Sequence, residues 1–164
     1  MLKLTELNAL DREGFTRVAG PVFEHSPWVA ERSWDRRPFA SREELHAAMC
    51  STVQNASVDE QLALISAHPD LVGRAVLTSE SQSEQASAGL GSLSADEVAF
   101  FDRYNRDYRE RFGFPFVICA RLNKKEAILN AFPVRLANSR QKEIETALTE
   151  IYKIADLRLH DLIR

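Results

Sequence analysis

Two short polar motifs contain the residue types that could carry out proton transfer in this chain. One is a histidine directly before a proline, His68-Pro69, and the other is a run that contains Ser81, Glu84 and Gln85. A neutral imidazole titrates near neutral pH, so His68 could accept and return a proton. The proline pushes the backbone of the preceding residue into an extended conformation, which would fix the direction of the histidine at a helix end. We therefore expect His68 and Glu84 to face a small anionic substrate.

Both motifs also have an ordinary structural interpretation. A histidine at a helix end can satisfy the last carbonyl groups of that helix. Ser81 and Glu84 stand at the spacing of a capping box, and a serine and a glutamate with the same spacing begin at Ser41, Ser57 and Ser94. A helix start also offers free N–H groups to an anion. Capping and substrate binding could therefore coexist at Ser81 and Glu84.

Arg121 is a further candidate because it follows an apolar run from Phe114 to Ala120. A guanidinium at the end of such a run could hold a carboxylate with two hydrogen bonds, although it could equally be a surface arginine. The chain lacks the H-E-x-x-H, P-loop, G-x-S-x-G and G-x-G-x-x-G motifs. Nothing in the sequence therefore suggests a metal site, a nucleotide cofactor or a serine hydrolase.

The elements that must position these residues are predicted to be helices. Candidate capping residues precede apolar residues at steps of three and four, which is the helical period. They are Ser41, Ser57, Ser94, Asn123 and Ser139. Residues 114–120 could be extended, but no partner strand is visible. We predict an all-α fold: a single-domain multi-helix bundle over residues 1–164, with a short extended segment near 114–120.

Composition excludes several classes of protein. With 164 residues and 45% hydrophobic content, the chain can form one globular core. A net charge of -3 with scattered basic residues gives no footprint for nucleic acid. No apolar run reaches membrane-spanning length, and neither a signal peptide nor a Ser-Lys-Leu ending is present. The two cysteines, Cys50 and Cys119, have no metal-binding spacing. We expect a cytoplasmic protein with no membrane or nucleic-acid partner.

The chain resembles the 2-oxo-4-hydroxy-4-carboxy-5-ureidoimidazoline (OHCU) decarboxylase family in segments that cover nearly its whole length. In order, these are AHPDLVGRA, TSESQSEQASAGL, YRERFGFPFVICAR, AILNAFPVRLANS and EIETALTEIYKIADLRL. The resemblance implies an all-helical enzyme that needs no cofactor. Such enzymes convert the unstable product of 5-hydroxyisourate hydrolysis to S-allantoin with loss of carbon dioxide.

The resemblance also implies roles for individual residues. It makes His68 the catalytic acid/base and Glu84 a second catalytic residue. The implied substrate contacts are Pro69, Ser81, Gln85, Phe116, Ile118 and Arg121. A homodimer is implied as well. Two alternatives stay open: a non-catalytic helical module that binds a purine-derived ligand or a partner helix, and a decarboxylase or lyase that acts on another carboxylated heterocycle.

Overall fold

The computed structural model describes residues 1–73 and 77–164, and within them the fold is all-α. The described part of the chain forms no β-strand, and a single bridge pairs Leu2 with Ile163. None of the described helices is long and apolar enough to cross a membrane. The helices are α1 (Leu4–Asn8), α2 (Arg12–Ala19), α3 (Trp28–Ser33), α4 (Arg42–Gln54), α5 (Val58–Ser66), α6 (Ser79–Ser87), α7 (Ala95–Phe112), α8 (Lys125–Leu136) and α9 (Arg140–Leu162). The predicted fold class is confirmed.

The contacts divide the chain into two compact units. The first contains Met1–Ala67 and Tyr152–Arg164, and the second contains His68–Ile151. In the first unit α3 packs against α2 and α4, around buried side chains that include Phe15, Leu45 and Met49. All the predicted site residues belong to the second unit. The prediction of one domain over residues 1–164 stays a prediction.

The second unit is built around aromatic side chains from α7, α8 and the segment between them. Phe101 and Tyr104 of α7 contact Phe132 of α8, with ring centroids 6.0 and 5.1 Å apart. Tyr108 meets Phe116 edge to face at 5.3 Å. Because rings bury large apolar areas, this cluster supplies much of the driving force for folding of the unit.

The segment that connects α7 to α8 is buried although it is not helical. Residues 114–119 form neither helix nor strand, and each of their side chains is buried. A 3-10 turn at Ala120–Leu122 follows. This segment lies where a short extended segment near 114–120 was predicted, and it brings backbone polar groups into the core.

Most of the predicted helix ends are confirmed. Ser57 and Ser94 form complete capping boxes with the glutamates three residues later, and Ser41 accepts from the N–H group of Glu44. Gly113 ends α7 in the left-handed conformation, with φ of 80°. These signals are local, since a cap and its partner stand within one helical turn.

Two predicted caps are wrong. Helix α6 is capped by Thr78, whose hydroxyl accepts from the N–H of Ser81, so Ser81 lies inside the first turn. Helix α8 is capped by Lys124, and the Asn123 amide donates instead to the carbonyl of Cys119 at 2.9 Å. The observed N-cap thus lies three residues before the predicted one in α6 and one residue after it in α8, where Lys124 makes no side-chain capping bond.

Substituting Gly113 tests the left-handed stop of α7. A Cβ atom at Gly113 would meet nothing within 4 Å, so the cost of Gly113→Ala is conformational only. We expect the free energy of unfolding to fall by about 1 kcal/mol, because L-residues are disfavoured at positive φ. Urea unfolding followed by circular dichroism measures this. Gly91→Ala is the matched control, since its Cβ also meets nothing and its φ is not positive; an equal loss in both variants would contradict the explanation.

Candidate active site

Helix α6 presents three of the predicted site residues on one face. Ser81, Glu84 and Gln85 stand three and four residues apart, which places them side by side on a helix surface. Ser81 and Gln85 are buried and Glu84 is half-buried. This face exists because α6 begins at Ser79, one turn earlier than a cap at Ser81 would allow. The correction therefore moves Glu84 from the first turn of the helix to its second turn.

The segment that follows the His-Pro motif is tied to the same face of α6. His68 is buried, with 7% of its surface exposed, and Pro69 is half-buried. The N–H group of Val72 donates to Oε1 of Gln85 at 3.1 Å. Val72 has a φ of 57°, which a β-branched residue rarely adopts and which costs about 1–3 kcal/mol. Gln85 therefore holds a strained backbone close behind the histidine.

Helix α7 holds this segment from another direction. Asn105 donates from Nδ2 to the carbonyl of Leu71 at 2.8 Å, and Asn105 is buried. Arg109 pairs with Asp70 through two hydrogen bonds of 2.9 and 3.1 Å. Three side chains thus fix three consecutive residues, Asp70, Leu71 and Val72. The backbone after His68-Pro69 is therefore specified by tertiary contacts.

The buried segment that precedes α8 is followed by a turn that packs against α6, near the C-terminal end of that helix. The Ala120–Leu122 turn contacts α6, and the N–H of Lys125 donates to the carbonyl of Ala88 at 3.1 Å. The pKa of the Cys119 thiol is raised, mainly by burial and also by the negative charges of Glu150 and Glu84. Glu84 therefore lies close enough to the segment for its charge to act on Cys119.

The predicted contacts Phe116 and Ile118 have buried side chains. The Phe116 ring stacks on Phe132 with centroids 3.9 Å apart, and the Arg135 guanidinium lies 4.2 Å from its centre. Phe116 and Ile118 are 1% and 8% exposed. A ring packed on both faces is not available to a polar ligand. The Phe116 ring is therefore part of the core.

Two buried charged side chains bind the main chain on either side of Ile118. Arg135 donates from Nη1 to the carbonyl oxygen of Val117. The N–H of Cys119 donates to Oε1 of Glu150 at 3.2 Å. Among residues 1–73 and 77–164, no hydrogen bond uses the N–H or C=O group of Ile118 itself. The carbonyl of Val117 and the N–H of Cys119 are therefore bound by side chains, whereas the N–H and C=O groups of Ile118 itself are not.

Arg135 belongs to a buried network that sequence reasoning missed. Its Nε lies 2.8 Å from Oε1 of Glu143, which also accepts from Tyr108 at 2.6 Å. Asn138 donates to the other oxygen of Glu143 at 2.9 Å. Burial, and then the bond to Glu143, raises the pKa of Tyr108. A signal existed, because Ile128, Phe132 and Arg135 share one helix face, and a charged residue on a buried apolar stripe requires a partner.

Arg121, the remaining predicted contact, has an exposed side chain on the 3-10 turn. The structure thus brings the segment after His68-Pro69, the α6 face and residues 116–121 together in one unit. The described residues hold no group of three or more His, Cys, Asp or Glu side chains suited to a metal ion. No structural finding tests the individual site roles, and these stay predictions.

Comparison with known proteins shows which family the whole chain and its fold resemble. The OHCU decarboxylase family model matches residues 8–160. A Haloferax volcanii OHCU decarboxylase is 48% identical over 96% of this chain and 94% of its own length. The fold matches a crystal structure of (S)-allantoin synthase with a TM-score of 0.81 and 29% identity, over 99% of this chain and 54% of that one. It also matches OHCU decarboxylase crystallised with (S)-allantoin, with a TM-score of 0.69 and 29% identity, over 82% of this chain and 89% of that one.

The shared helical fold and the near full-length matches place the chain among the carboxy-lyases. It belongs to the OHCU decarboxylase family, which confirms the resemblance seen in the sequence.

A charge-removing substitution tests the placement of Glu84 beside the buried segment. A negative charge disfavours the thiolate and raises the pKa of Cys119, so Glu84→Gln should lower that pKa. Thiolate absorbance titrated in a Cys50→Ala background measures the shift. Glu145→Gln, at an exposed position of α9, is the control and should leave the titration unchanged. An unchanged titration in Glu84→Gln would contradict the placement.

Proposed function

We propose that this protein decarboxylates 2-oxo-4-hydroxy-4-carboxy-5-ureidoimidazoline to S-allantoin in urate catabolism, with His68 as the acid/base. The observation that carries the proposal is the meeting of three separate motifs at α6. Gln85 binds the segment after His68-Pro69, and the Ala120–Leu122 turn at the end of the buried segment contacts α6. Family membership supplies the class of substrate.

The reaction suits a site made of hydrogen-bonding groups and one imidazole. Loss of carbon dioxide breaks a carbon–carbon bond and leaves the electron pair on a ring carbon. The adjacent ring C=N bond absorbs this density on its nitrogen, so the substrate provides its own electron sink and a C=C bond forms between the carbon that keeps the hydroxyl and the carbon that carries the ureido group. Donors directed at that nitrogen lower the barrier, because they stabilise charge that develops in the transition state. A proton then adds to the carbon that carries the ureido group, and the hydroxyl loses its proton to become the carbonyl of allantoin.

His68 and the α6 face have complementary roles in this proposal. His68 either takes the proton of the substrate hydroxyl or returns one to the ring carbon on one face, and burial keeps its imidazole from exchanging freely with water. Glu84 and Gln85 orient the ring and its ureido group. Because Oε1 of Gln85 already accepts from Val72, Gln85 binds substrate as a donor through Nε2.

The main chain at Ile118 completes the proposed pocket. Its N–H and C=O groups offer one donor and one acceptor, which match the alternating N–H and C=O groups of a ureido or imidazolone unit. Pro69, Ser81 and Arg121 are assigned as further substrate contacts, as the resemblance implies. A homodimer and a cytoplasmic location are part of the same proposal and rest on that resemblance alone.

The wild-type protein should accelerate formation of S-allantoin from substrate made in place. Urate oxidase and hydroxyisourate hydrolase generate the unstable substrate from urate, and circular dichroism follows allantoin chirality. Without enzyme the planar intermediate is protonated on either face, so a racemate forms. Appearance of S-allantoin no faster than in buffer would refute the proposal. Saturable binding of a purine catabolite without turnover would favour a non-catalytic module, and turnover of a competing carboxylated heterocycle alone would favour another lyase.

Replacement of His68 should separate a catalytic role from a structural one. We expect His68→Ala to abolish turnover while helix content and the thermal midpoint change little, since the loss is of a proton-transfer group. Far-ultraviolet circular dichroism and the assay above measure both. His160→Ala, at a partly exposed position of α9, is the matched control and should keep full activity. A folded His68→Ala variant with normal turnover, or one that is unfolded, would support the structural interpretation.

A further inference from the structure

We infer that Arg135 is a positioning residue for the reaction, which acts by fixing the direction of the Ile118 N–H group. The inference rests on the proposed function, in which the main chain of Ile118 faces the substrate. Arg135 is 6% exposed and donates to the carbonyl oxygen of Val117. It touches the residue before the proposed contact, and therefore acts through the backbone.

Peptide geometry transmits the effect of Arg135 to Ile118. The carbonyl of Val117 and the N–H of Ile118 belong to one planar peptide group, and in a trans peptide they point in opposite directions. A hydrogen bond that holds the carbonyl toward Arg135 therefore points the N–H of Ile118 away from it. Glu150 does the same on the other side, because its bond to the Cys119 N–H turns the carbonyl of Ile118 away. Both polar groups of Ile118 are thus oriented.

The charges of these two side chains also strengthen the groups that they orient. A cation bonded to a carbonyl polarises its peptide group and makes the attached N–H a better donor, since hydrogen bonds in a chain reinforce one another in a low-dielectric interior. A carboxylate bonded to an N–H makes the attached carbonyl a better acceptor. The arrangement thus enhances the Ile118 N–H through Arg135 and the Ile118 C=O through Glu150.

The contacts of Arg135 need the shape of a guanidinium. Its Nε bonds Glu143 while Nη1 bonds Val117, and its planar face lies 4.2 Å from the centre of the Phe116 ring. Lysine has one compact ammonium group and cannot reproduce this fork, even though it keeps the charge. A residue needed only to neutralise Glu143 would not have to reach the main chain of residues 114–119.

The test separates the contact with Val117 from the stability of the buried network. In the double variant Arg135→Met with Glu143→Gln, no unpaired buried charge is left, so folding is favoured over the single replacement. We expect kcat to fall on the order of 100-fold, as for a displaced catalytic geometry, with a much smaller change in KM. We also expect the product to lose its S excess, since slow turnover lets the racemic background dominate. Arg135→Lys, which keeps the charge opposite Glu143, is the second variant and should show the same pattern.

Tyr108→Phe is the matched control. It removes the hydrogen bond that Tyr108 donates to Glu143 and the long one, 3.5 Å, that it accepts from Nη2 of Arg135, and it keeps the ring and the contact of Arg135 with Val117. We expect lower thermal stability with wild-type kcat and S-allantoin as product. Normal kcat in a folded double variant or in Arg135→Lys would overturn the inference, as would an equal loss of kcat in Tyr108→Phe. An inactive wild-type protein would instead refute the proposed function, so the two failures are distinguishable.

Discussion

The structure of the second unit depends on the burial of a segment that has no regular hydrogen-bonding pattern. Residues 114–119 lie in the core, where each peptide N–H and C=O group that leaves water must find a partner. An α-helix or a β-sheet supplies these partners through its own backbone hydrogen bonds, and residues 114–119 form neither structure. Arg135 and Glu150 provide partners for Val117 and Cys119. Arg135 and Glu150 are therefore buried because main chain without helical or sheet hydrogen bonds lies in the interior and requires partners.

The side chains and the main chain of this segment have different roles as a result of this constraint. The side chain of Phe116 belongs to the aromatic core, between Phe132 and the guanidinium of Arg135. The N–H and C=O groups of Ile118 bind no other group among the described residues, and we propose them as substrate contacts. Main chain that is packed into the core is rigid, and rigid donors need no reorganisation as charge develops in a reaction. The main chain that follows His68 is also held rigid by a side chain, because Gln85 accepts a hydrogen bond from the N–H group of the strained residue Val72.

Much of the fold was predictable because the signals that set helix ends are short-range. A serine and a glutamate three residues later interact within one turn, so Ser57 and Ser94 could be recognised without any tertiary information. The same rule failed at Ser81 and Asn123. Helix α6 begins after Thr78, three residues before Ser81, and α8 begins after Lys124, because the Asn123 side chain bonds the carbonyl of Cys119 and does not cap the helix.

The sequence by itself determined the helical class, the positions of most helices and, through its resemblance to a family, the chemical identity of the candidate site. Only the tertiary structure decided that Ser81, Glu84 and Gln85 share one face of α6, and that Ile118 is oriented by charges from α8 and α9. Arg135 and Glu150 stand 18 and 31 residues from the groups they bind. Local sequence patterns carry no information over such separations, because the contacts form only when the helices pack.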